Sequence, residues 1–167
     1  KAGTGYTLQA TSGLLTAATS TAFDITPGTA TQLAVTVQPT NTAAGAAIAP
    51  AVQVTARDAQ GNTATGFTGS IVVAIGTNPA SGVLSGTTTV AAVAGIASFS
   101  NLSIDKAGTG YTLQATSGVL TAATSAAFDI TPGAATQLAV TVQPTNTTAV
   151  AAIAPAVQVT ARDAQGN

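Results

Sequence analysis

At 167 residues the chain has room for one or two domains. Charged side chains make up 5% of it, against about a quarter in an ordinary soluble domain, and the net charge is −1. That balance offers no handle for nucleic acid or an acidic membrane surface, and the absence of Cys excludes a disulfide scaffold and a thiolate metal site.

Taken in chain order, the apolar residues alternate. Leu33, Val35 and Val37 are spaced by Ala34 and Thr36, and Val52, Val54 and Ala56 by Gln53 and Thr55. Ile71, Val73 and Ile75 follow, then Phe99, Leu102 and Ile104, then Tyr111, Leu113 and Ala115, then Phe128 and Ile130. Period-two runs rich in β-branched residues predict strands. Asp58-Ala-Gln-Gly-Asn62, Gly76-Thr-Asn-Pro79 and Ser117-Gly118 supply turns between them. No long segment carries apolar residues at helical spacing. Residues 59 to 104 are uncharged, but Gly, Asn, Thr and Pro break every apolar run well short of the ~20 residues of a membrane span, so no membrane insertion by this segment is expected.

The opening stretch KAGTGYTLQATSG returns at Lys106 to Gly118. The repeat is longer than this. Residues 1–62 align without a gap on 106–167, an offset of 105, and differ at five pairs: Leu14/Val119, Thr21/Ala126, Thr29/Ala134, Ala43/Thr148 and Gly45/Val150. A period near 100 is the size of a domain and too long for a small solenoid unit. Ile25-Thr-Pro27-Gly28 and Ile130-Thr-Pro132-Gly133 mark the joints, because Pro fixes φ and lacks an N–H while Gly frees the next bond. The expected map is the end of one repeat at 1–27, a complete repeat at 28–132 and the start of another at 133–167. On this map the chain is a window on a longer array, and Asn167 would continue with something close to Thr63-Ala-Thr-Gly-Phe-Thr-Gly69.

About seven short strands in about 100 residues is the signature of an immunoglobulin-like β-sandwich. Within it, Asp105-Lys-Ala-Gly108-Thr-Gly-Tyr111 places a Tyr at the start of the sixth strand after a Gly-containing turn. That is what a tyrosine corner needs, with the hydroxyl bonded to upstream backbone, and Tyr6 repeats it. The Cys and Trp core pair of antibody domains is absent, so the core must rest on aliphatic side chains with Phe67, Phe99, Tyr111 and Phe128.

The segments VQVTARDAQGN, FTGSIVVAI and GIASFSNLSIDKAGTGYTLQATS resemble the bacterial Ig-like repeats found in tandem in large surface and secreted proteins, adhesins among them. The resemblance runs through the whole chain. It implies an all-β, immunoglobulin-like tandem array with a structural or adhesive role outside the cell or at its surface. It transfers no binding site.

The supply of reactive groups is thin. With no His, Cys or Glu, the many Ser and Thr hydroxyls have no ordinary base, so neither catalysis nor a cofactor is expected. Asp58, Asn62 and Asp105 are the weak candidates for Ca²⁺, but without an acidic cluster the preferred reading is a turn that Asp58 caps and Gly61 closes. Lys106, the one Lys of the complete repeat, reads as a solvated turn residue and not as a cross-linking Lys. Asn101-Leu-Ser103 and Asn146-Thr-Thr148 match the glycosylation pattern, and the preferred reading is coincidence. Phe67 reads as a core plug in preference to a sugar-stacking ring. The residues expected to matter are structural: Tyr6, Tyr111 and Gly108 at the corners, and Pro27, Gly28, Pro132 and Gly133 at the joints.

The scarcity of charge is itself informative. Exposed faces must be Thr, Ser, Ala, Gln, Asn and Gly, and edge strands lack the charges that discourage pairing. Expected partners are therefore the neighbouring repeats and copies of the chain in a fibre, with surface glycans as the alternative.

Overall fold

The computed structural model describes residues 1–167 and is all-β, without a helix. The N-terminal segment holds β1 (Gly3–Tyr6), β2 (Gln9–Ala10), β3 (Ala18–Thr19) and β4 (Phe23–Ile25). The central stretch holds β5 (Gln32–Val37), β6 (Thr42–Ala43), β7 (Val52–Arg57), β8 (Ser70–Ile75), β9 (Leu84–Ser85) and β10 (Thr89–Ala91). It continues with β11 (Ile96–Phe99), β12 (Ser103–Ile104), β13 (Gly108–Tyr111), β14 (Leu113–Thr116), β15 (Ala123–Thr124) and β16 (Phe128–Thr131). β17 (Gln137–Val142) and β18 (Gln158–Arg162) close the chain.

Two antiparallel sheets form the sandwich. One has the order β11-β7-β5 and the other β10-β8-β14-β15. β13 pairs with β16, which also takes β6 in parallel. The alternation in the sequence decides which face is buried. Val52, Val54 and Ala56 of β7, Ile71 and Val73 of β8, and Leu113 and Ala115 of β14 all point into one core with Phe99, Leu102, Ile104, Tyr111, Phe128 and Ile130. Every residue of this core lies between Leu33 and Ile130.

The alternation predicts about seven strands; the central stretch has twelve short ones. The difference is where runs break. Pro39 has no N–H to continue the β5 ladder, so the chain re-pairs as β6 on a different partner. The register of β13 slips between Gly108 and Tyr111, which separates it from β14.

The flanking segments reproduce these pairings. Gly3↔Ile25 and Tyr6↔Phe23 in β1–β4 match Gly108↔Ile130 and Tyr111↔Phe128 in β13–β16, each offset by 105. β17–β18 repeats β5–β7 from Gln137↔Arg162 onward, down to the irregularity between Val140 and Val142. What they lack is cover. Phe128 is 3% exposed while Phe23 is 40%, and Leu33 is 6% exposed while Leu138 is 76%. The same local sequence gives the same hairpins, and the opposing strands decide whether their apolar faces are buried.

Candidate functional site: the joint between copies

The corner is built first. Tyr111 is fully buried, and its hydroxyl donates to the Lys106 carbonyl oxygen at 2.9 Å; Tyr6 makes the same bond to Lys1 at 3.1 Å. Burial, helped by the Asp105 carboxylate, raises the Tyr111 phenol above its ordinary pKa, so it stays a donor. Gly108 lies under this ring, where an added Cβ would sit 3.2 Å from Tyr111 Cε2 and 3.1 Å from Ala80 Cβ. A side chain at 108 would crowd the ring, which would have to give by a few tenths of an ångström. The corner holds residues 105–107 in a fixed shape at one end of the sandwich.

The loop Asp58-Ala-Gln-Gly-Asn62 follows β7 and is organised around one carboxylate. Asp58 is 2% exposed. Its Oδ1 accepts from the Gln60 and Asn62 N–H groups at 3.0 and 2.9 Å. Its Oδ2 accepts from Asn62 Nδ2 at 2.8 Å and from the N–H of Gly28 in the joint at 2.9 Å. These donors, Asn62 first and then Gly28, hold the carboxyl at a pKa of about 2, below its ordinary 3.8. Asp163 repeats the arrangement with Asn167, Gly133 and Gln165, and its pKa is likewise about 2. The carboxylate that was the weak Ca²⁺ candidate is thus occupied by N–H donors.

The two features meet across the joint. The Asn62 amide has one end fixed on Asp58, and its Oδ1 accepts from the Ala2 N–H at 3.0 Å. At the next joint Asn167 Oδ1 accepts from the Ala107 N–H, also at 3.0 Å. There the clasp is complete. Asn167 Nδ2 donates to the Asp105 carbonyl oxygen at 3.0 Å, and Lys106 Nζ donates to the Gln165 carbonyl oxygen at 2.9 Å. The joint Gly133 N–H donates to Asp163 at 2.7 Å. A short peptide link and a loop-on-corner clasp therefore fix neighbouring segments together twice, through the same residue types.

The structure brings together most of the residues singled out from sequence. Gly28, Asp58 and Asn62 share one joint; Gly133, Asp105 and Gly108 lie at the other, with Tyr6 and Tyr111 bracing the corners. Asp105 approaches the Asp163 loop across the joint and through its backbone; its carboxylate turns inward to the Val83 N–H. Lys106, expected to be solvated, has its ammonium seated on the next segment. Pro27 and Pro132 stop the preceding strand and, lacking an N–H, donate no hydrogen bond of their own. The clasp itself escaped sequence reading, because its partners are 59 to 62 residues apart. The only available signal was that the Lys-Ala-Gly and Asp-Ala-Gln-Gly-Asn segments recur at constant spacing.

Beside the first joint runs a shallow groove of about 410 Å³, lined by Pro27, Gly28, Ala30, Ala64, Phe67 and Leu120 among others. It contains no charged residue. Phe67 is half-buried and packs against the core. In comparisons with known proteins, no family model and no curated sequence matches this chain.

Proposed function

We propose that the chain is a structural, rod-forming stretch of tandem immunoglobulin-like repeats, with bead boundaries at 28–132, from a bacterial extracellular fibre or cell-surface protein. The observation that carries this reading is the joint made twice: Asn62 on Ala2 and Asn167 on Ala107, with Asp58 and Asp163 each tied to the Pro-Gly link 30 residues before it. A joint that repeats the Asn-to-Ala and Asp-to-Gly bonds at each period gives each bead a similar relation to the last, which is what a rod requires. An enzyme or a free-standing binding domain has no need of it.

The immunoglobulin-like assignment draws on the split first strand, in which β5 pairs with β7 and β6 crosses to pair in parallel with the last strand, β16. It draws also on the tyrosine corner. Lateral assembly draws on the outer strands β10 and β11, neither of which carries a charged side chain. The alternative, a glycan- or surface-binding module, draws on the groove beside Phe67, whose lining offers few polar groups to orient a sugar.

Immunogold electron microscopy with an antibody raised against this chain tests the proposal. The expected result is label along extracellular fibres, with beads spaced on the order of 35–45 Å, the scale set by a domain of about 100 residues. Label confined to the cell interior, or a glycan-array signal with no fibre in the micrographs, would count against it.

A further inference from the structure

Five positions distinguish the two copies, and one of them sits inside the clasp. Gly45 lies in the turn after β6, with φ +77, and its N–H donates to the Ile104 carbonyl oxygen at 2.8 Å. Across the joint, the Gln165 side chain lies directly over it. A Cβ at 45 would stand 2.7 Å from Gln165 Nε2 and 3.0 Å from Cδ. Glycine therefore does two things here: it takes the left-handed turn without strain, and it leaves the space that Gln165 fills.

The counterpart of Gly45 is Val150. Its backbone keeps the same turn at φ 65, a conformation that a β-branched residue adopts only under strain, and its side chain is fully exposed. The neighbouring turn bond is also kept: Ala46 N–H to Ala43 oxygen in one copy, Ala151 N–H to Thr148 oxygen in the other. The valine thus projects where, at the preceding joint, the Gln165 amide lies.

We propose that position 45, and 150 in the next copy, is the residue that sets how closely one repeat docks on the next. Glycine admits the Gln of the following Asp-Ala-Gln-Gly-Asn loop and gives a closed joint; valine excludes it and gives a more open one. This rests on reading the repeats as a jointed rod. It adds that the joints are not equivalent and that a single side chain grades them. Any copy docked against 133–167 meets the open setting.

The test uses the full 167-residue chain and amide hydrogen exchange, with the first joint as an internal reference. Gly45→Val is expected to speed exchange of the Ala107 amide about tenfold, because the loop carrying Asn167 stands off. The Ala2 amide, bonded to Asn62 at the unaltered joint, should not change. Gly45→Ala brings the same Cβ with less bulk and should speed Ala107 about two- to threefold; it keeps the test decisive if valine unfolds the turn. Adding Gln165→Ala to either variant should return Ala107 to within about twofold of the unmodified chain, since the colliding side chain is then gone. Ala107 unchanged relative to Ala2 in both single variants would overturn the proposal. So would acceleration that Gln165→Ala fails to reverse, which would place the effect in turn strain. Neither outcome depends on whether micrographs show fibres.

Discussion

Asp58 and Asp163 show how one side chain can organise a joint. Each carboxylate gathers the N–H groups of its own loop and of the Pro-Gly link, and each presents the adjacent Asn to the preceding corner. Their pKa of about 2 is depressed from the ordinary 3.8, so the sign is fixed. The stabilisation is fully present above about pH 4 and is lost as pH falls through about 2. Thermal melts between pH 6 and pH 2 should show the midpoint falling below pH 4. Asp58→Asn, which cannot titrate, should flatten part of that fall. A variant that tracked the unmodified chain at every pH would mean that Asp58 contributes no pH-dependent stability. At this scale the sequence was half legible. Asp58 and Gly61 could be read as a turn, because that chemistry is local. The bond from Asn62 to Ala2 could not, because nothing local in Gly61-Asn62-Thr63 tells a solvated amide from a clasp.

Among the elements, the strands were the most readable feature. The alternation at Val52–Ala56, Ile71–Val73 and Tyr111–Ala115 puts the residues expected to face inward in the core, while Ile75 is only partly buried against it. β9 and β10 leave no clear signal in the sequence, since Gly, Ser and Thr dilute the alternation between Gly76 and Gly95 and the pairing partners are distant. The tyrosine corner was legible from Gly108 to Tyr111, and the two copies of it make a built-in comparison. Tyr111→Phe removes a buried hydroxyl and leaves the Lys106 carbonyl short of a partner, which should cost about 1 kcal/mol in urea unfolding. Tyr6→Phe, at a site 37% exposed where water can replace the bond, should be nearly neutral. Equal losses from the two would show that the corner bond is worth the same with or without the covering strands.

At the level of the whole molecule, a repeat of 105 residues with five differences places the same Asn-to-Ala and Asp-to-Gly bonds at both joints. Charge is scarce, and the joints are made by neutral amides, carbonyls, two buried carboxylates and the Lys106 ammonium. The fold and the repetition were legible from pattern and composition. The clasp was not, because it depends on which loop of one repeat meets which corner of the previous one. The central claim is that these loops lock consecutive segments into one body. Residual dipolar couplings of the labelled 167-residue chain measure this directly, comparing amides of β5–β16 with those of β17–β18. A locked joint predicts that both sets fit a single alignment tensor, and that Asn167→Ala splits them into two; two unrelated tensors in the unmodified chain would contradict the account.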